Sequence, residues 1–178
     1  WVLSLNGDMR DGLLGGGVSS WSLSWTAGDV DFEDAAARAA DARSARTEGS
    51  YAKWNANFSR IQALGQRNVL SLNLAGQWSD GNLDSAEKLS IGGPYMVRAY
   101  DVGALSGDTG YFASIELRHD LGLFAAGRWQ ATAFVESART RINRDAWIRG
   151  ENRATLSGAG VGLAWDGPDQ WRASLSLA

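Results

Sequence analysis

A chain of 178 residues with a net charge of −3 and a pI near 5.1 lacks the basic footprint by which nucleic-acid binders declare themselves. It has no cysteine, which removes disulfides, thiolate nucleophiles and Cys-based zinc sites, and no apolar run near the roughly 18–20 residues of a transmembrane helix, although a membrane barrel would show none either. Tryptophan is abundant, no secretory signal is visible, and the chain starts on Trp1 and stops inside an alternating run, so it reads as a piece of a longer protein.

Trp1-Val2-Leu3-Ser4-Leu5-Asn6 alternates with period two, and after a glycine-rich turn the alternation resumes in Ser20-Trp21-Ser22-Leu23-Ser24-Trp25-Thr26. Such strands have one apolar face and one small, polar face. Residues 28–50 break the pattern, and the alanine-rich run from Asp34 to Arg43 suits either a short helix or a mobile polar loop. From Tyr51, Ala52, Trp54, Ala56 and Phe58 fall opposite Lys53, Asn55, Asn57 and Ser59. Past residues 65–68, Leu70, Leu72, Leu74, Gly76 and Trp78 alternate with Ser71, Asn73, Ala75 and Gln77. Residues 79–110 form a long connection, which makes them a candidate for function.

Beyond that connection Tyr111, Ala113, Ile115 and Leu117 face one way, and Phe112, Ser114, Glu116 and Arg118 the other. Two opposite charges on one face suit a water-filled or protein-filled lumen and would be expensive against lipid. In Trp129–Ser137 the residues Gln130, Thr132, Phe134 and Glu136 share the polar face. A polar, arginine-rich loop at about 143–154 precedes two more alternating runs, at 159–165 and 171–177. About eight strands, with short and long connections alternating, predict an all-β fold: a transmembrane antiparallel meander β-barrel.

The stretch Ile91-Gly92-Gly93-Pro94-Tyr95-Met96-Val97-Arg98-Ala99-Tyr100 stands out within the long connection. Gly-Gly-Pro fixes a sharp reversal and presents one guanidinium among apolar and aromatic neighbours. Such an arginine sits in water or has a carboxylate waiting for it.

Lys88 to Tyr100, followed by Leu105-Ser106-Gly107-Asp108-Thr109-Gly110-Tyr111 and Glu116-Leu117-Arg118, resembles the barrel of two-partner secretion transporters, the hemolysin-activator (ShlB/FhaC-like) branch of the Omp85 superfamily. In that family a Val-Arg-Gly-Tyr/Phe motif tips a long loop folded back into the barrel, and its arginine meets the aspartate of a Phe-x-Asp-x-Gly motif on the inner wall. Here Arg98 matches the first motif and Phe134-Val135-Glu136-Ser137-Ala138 occupies the place of the second. Three positions depart: Ala99 for Gly, Glu136 for Asp and Ala138 for Gly. The first suggests a different backbone at the tip, the second a tip shifted slightly outward.

The resemblance implies a sixteen-stranded barrel preceded by periplasmic POTRA domains. Residues 1–178 would then be the C-terminal half of the barrel domain, with the POTRA domains and first strands outside this segment and the loop at about 79–110 folding inward. An open sheet alone could not sit in lipid.

The implied site has a loop-tip motif of Gly92, Gly93, Val97, Arg98, Ala99 and Tyr100, an inner-wall partner in Phe134 and Glu136, and secondary lumen candidates in Glu116 and Arg118, with Glu116 the rival partner for Arg98. His119 reads as a strand-end surface residue, not as a ligand or base, and nothing suggests an enzyme, a cofactor or a metal. The expected function is an outer-membrane pore that translocates a partner exoprotein of the hemolysin or adhesin type, porin-like in wall chemistry, in the outer membrane of a Gram-negative bacterium. Expected partners are the secreted exoprotein, outer-membrane lipid and the remainder of its own barrel and POTRA domains, with no nucleic acid. Two other readings stay open: an Omp85-type assembly factor for outer-membrane proteins, and a soluble β-barrel binding module.

Overall fold

The computed structural model describes all residues from Trp1 to Ala178. Alternation becomes strand wherever the sequence shows it. In chain order the long strands are β1 (Val2–Asp11), β2 (Gly17–Val30), β3 (Gly49–Leu64) and β4 (Asn68–Ser79). A short hairpin follows, β5 (Leu89–Ile91) with β6 (Leu105–Gly107), and then β7 (Thr109–Phe124), β8 (Gly127–Arg141), β9 (Arg153–Asp166) and β10 (Arg172–Leu177). Between β2 and β3 the alanine-rich run folds as α1 (Ala35–Asp41), whose N-terminus is capped by the Asp34 carboxylate accepting from Ala36 N–H at 2.9 Å.

The eight long strands form one antiparallel sheet in the order β1-β2-β3-β4-β7-β8-β9-β10, and β5 pairs only with β6. The registers sort residues by face. Ser22, Asn57, Ala75 and Phe112 follow one another across β2, β3, β4 and β7 on the polar face. On the opposite face Trp25, Trp54 and Trp78 stand in one row. At the other end of that face Trp129 lies opposite Trp165, and Phe124 stacks on Trp129 at 5.3 Å.

Only 20 of 178 residues are buried, so the sheet has no core of its own. What core there is lies between the long connection and the polar face: Ile91 and Val97 from the connection, Phe112 and Ala138 from the sheet. Leu74 and Trp21, on the apolar face, are each 41% exposed.

The sheet does not close. β1 pairs only with β2 and β10 only with β9, which leaves two free edges. The expected transmembrane meander barrel is therefore not what this chain forms: the architecture is an open eight-stranded antiparallel sheet. Expectations built on closure fall with it. An open sheet encloses no bore, so the exoprotein-translocating pore and its porin-like character are overturned. For residues 1–178 the outer-membrane placement fails on the same finding, because the free edges of this sheet in hydrocarbon would leave backbone N–H and C=O groups unsatisfied. No helix is long and apolar enough to cross a membrane, a fact that concerns helices alone.

The candidate functional site: a docked loop and its ion pairs

The β5–β6 hairpin is a stem that carries residues 92–104 down onto the sheet. The reversal uses glycine where only glycine fits: Gly92 has φ +114° and Gly93 φ +89°. A Cβ on Gly93 would meet the Val102 side chain at 2.6 Å. The tip then closes on itself, with Gly93 N–H donating to Tyr100 O at 2.9 Å and Tyr100 N–H to Val97 O at 3.1 Å. Val97 is fully buried and seats the tip on the sheet.

Arg98 follows directly. Its Nε donates to Glu136 Oε1 at 2.6 Å and its backbone N–H to Glu136 Oε2 at 2.8 Å, so one carboxylate grips both side chain and main chain. A guanidinium nitrogen also pairs with Glu116 Oε2 at 2.8 Å. The guanidinium carbon lies 3.5 Å from the centre of the Phe134 ring, a cation–π contact in a partly buried place. Burial works against the Arg98 charge, but the hydrogen bonds it donates to Glu136 and then to Glu116 outweigh it and hold the group above its ordinary value.

Glu136 belongs to β8 and Glu116 to β7, adjacent strands whose polar faces are continuous. Glu136 is 3% exposed and Phe134 5%. Arg118, two residues along β7, lies with its Nε 3.2 Å from Glu116 Oε1 but off the hydrogen-bonding direction, so that contact is charge pairing only. Its hydrogen bond goes to Ser71 Oγ at 2.9 Å. Arg98 therefore meets both carboxylates, not one or the other.

Tyr100 donates from its hydroxyl to Ser157 O at 3.4 Å, while Tyr95 stands out in solvent. Ala99 is not in the left-handed region, so its methyl costs no backbone strain. Ala138, in place of the expected glycine, is fully buried in the cluster under the tip. His119 Nδ1 lies 2.8 Å from Asn68 Oδ1 at the far end of β7 and takes no part.

Sequence reasoning missed two features. Gly158 of β9 makes room for the tip, where a Cβ would approach the Ala99 methyl at 3.3 Å, and Gly160 makes room for its neighbours in the sheet, where a Cβ would collide with Leu177 O and the Phe134 ring. The glycines at every second position, Gly158, Gly160 and Gly162, were the available signal. The second feature is Asp108, fully buried at the root of the stem.

The family model described as haemolysin secretion/activation protein ShlB/FhaC/HecB matches residues 8–165. Among curated proteins, the heme/hemopexin transporter protein HuxB of Haemophilus influenzae is 22% identical over 169 residues, 93% of this chain and 30% of its own length. The HuxB of Haemophilus influenzae strain 86-028NP is 23% identical over 134 residues, 74% of this chain and 24% of its own length. The chain thus spans less than a third of the curated relatives it matches. The matching family is one of transporters and not of enzymes. With its family model covering the sheet from β1 to the end of β9, the chain belongs to the ShlB/FhaC/HecB family of the Omp85 superfamily.

Proposed function

We propose that this chain is the loop-bearing sheet of an Omp85-superfamily protein of the assembly type, one that takes strands of a protein partner onto its own sheet. One observation carries the reading: a loop is held on the polar face by Arg98 between Glu136 and Glu116 while both sheet edges stay open. The outward N–H and C=O groups of β1 and β10 require a strand partner, whether from the same protein or from a client. Main-chain pairing at an edge accepts many sequences, and side-chain alternation then selects among them. On β10, Ala173, Leu175 and Leu177 alternate with Ser174 and Ser176, so a partner strand of like alternation would continue both faces.

The locked tip borders that edge. Pro94, Tyr100 and Val102 line a shallow groove with Ser176 and Ala178, and the Arg98 lock keeps this border in one shape. The family description, haemolysin secretion/activation protein, supports a secreted protein as the client, and the relatives' name, heme/hemopexin transporter protein, supports a link to heme or hemopexin.

The test is backbone amide exchange along β1 and β10 in the full-length protein, with and without its secreted partner. Exchange at one edge should slow by roughly tenfold or more when the partner is added, and less so in Arg98→Ala. Edges already protected without the partner, and unchanged by it, would mean that the protein's own strands fill them and that the assembly reading is wrong.

A further inference from the structure

Lys88 and Asp108 face each other across the stem, one residue outside the Leu89–Gly107 rung. Lys88 Nζ lies 2.9 Å from Asp108 Oδ1. The Asp108 carboxylate is fully buried and accepts two more donors, Leu83 N–H at 3.2 Å and Arg144 N–H at 2.7 Å. Lys88 Nζ in turn donates to Ile142 O at 2.9 Å and Asn143 Oδ1 at 3.0 Å. Both members of the pair therefore reach into the loop after β8, and Asp108 N–H donates to Arg141 O at 3.1 Å. The approach is tight, since a Cβ on Gly107 would meet Arg141 O at 2.6 Å.

We infer that the Lys88–Asp108 pair is a second lock, at the root of the stem, which positions Arg98 for its carboxylates. A buried carboxylate stripped of its cation is too costly to stay in place, so the pair holds or the root moves. The stem acts as a lever. A tilt of about 10° over the ~10 Å spanned by a three-residue strand displaces the tip by roughly 2 Å, more than a charged hydrogen bond tolerates. The root also joins the tip to the loop after β8: Arg144 N–H ends on Asp108, and next to it Asp145 N–H donates to Asn82 Oδ1 at 2.7 Å. Displacing residues 141–145 would thus reach Arg98 through the stem. Lys88 and Asp108 are positioning residues on this account, and the inference rests on the reading that Arg98 holds the tip.

The chain has no cysteine, so engineered pairs can report tip seating. Ala99→Cys with Gly158→Cys places two thiols across the tip–sheet contact, where the present geometry puts the two Cβ positions 3.3 Å apart. Ser137→Cys with Ser157→Cys, on register partners of β8 and β9, reports the sheet alone. Both pairs would be oxidised in the full-length protein, with any cysteines elsewhere replaced. In Lys88→Met the tip crosslink should fall by roughly tenfold while the sheet crosslink is unchanged, and Lys88→Arg should restore it. The double variant Lys88→Met/Asp108→Asn removes the cross-stem pair without leaving an unpaired buried charge, so the tip crosslink should still fall, by less than in Lys88→Met, which keeps the test open should Lys88→Met fail to fold. Tip crosslinking at the wild-type level in either variant would overturn the inference. Arg98→Ala separates the two readings: an undiminished tip crosslink there removes the tip lock, whereas a loss there without a loss in the root variants removes only the root lock.

Discussion

Glu136 accepts two bonds from Arg98, one from the side chain and one from the main chain, and has no other cation within reach, whereas Glu116 divides itself between Arg98 and Arg118. Burial sharpens the difference: the Glu136 side chain is 2% exposed and that of Glu116 19%. Weakening the buried, singly partnered carboxylate should therefore release the tip, and weakening the shared one should not. We predict that Glu136→Gln destabilises the docked loop by about 2–3 kcal/mol and Glu116→Gln by about 1 kcal/mol or less. Limited proteolysis between residues 92 and 104 in the full-length protein reads this directly. Equal cleavage rates in the two variants would show that the carboxylates share the work, contrary to the geometry.

Among the elements, the strands were legible because their signal is local. Period-two alternation in Tyr51–Ser59 and Leu70–Trp78 specifies which residue faces which way, and the register of β3 on β4 follows from it. The short helix was one of two open readings of the alanine-rich run, decided by the Asp34 cap. Less legible was whatever depends on residues far apart in the chain. Asp108 looked like turn chemistry in Ser-Gly-Asp-Thr-Gly, and its partners lie at Leu83, Lys88 and Arg144. Gly158 looked like one glycine among 22 until the tip was laid against it. The turn and the guanidinium around Arg98 stand out on local chemistry, but its partner on the inner wall comes from the resemblance, because nothing local tells an arginine which strand will carry its carboxylate.

The β7–β8 hairpin shows an element at odds with its sequence. Its two-residue turn is Ala125-Ala126, with φ of 47° and 58°, the geometry that favours Asn-Gly because a methyl group is crowded there. Replacing Ala126 with Gly should raise stability by about 1 kcal/mol, seen as a higher thermal midpoint of the full-length protein. A midpoint that stays put or falls would mean that the two alanines are not strained as the backbone implies.

For the whole molecule, the consequence of an open sheet is an unmet demand. Two edges present rows of unpaired backbone groups, and one face exposes Leu5 at 63%, Val161 at 58% and Leu175 at 68%. Alternation could not foretell this, since a closed sheet and an open one share the same period along each strand; closure is decided by whether the first strand meets the last. Both the edges and the face favour association. Residues 1–178 produced alone should therefore not remain monomeric at micromolar concentration, and light scattering on the eluting species would measure it. Charged edge residues are the natural brake on such pairing, and β10 has just one, Arg172, at its start, whereas β1 carries Asp8, Arg10 and Asp11 toward its end. Self-association should accordingly run through β10. Substituting Ser174→Lys on that strand should shift the distribution toward monomer, and Ser4→Lys on β1 should do so less. A chain that stays monomeric without either substitution would mean that the sheet satisfies its own edges in some way the strand order does not reveal.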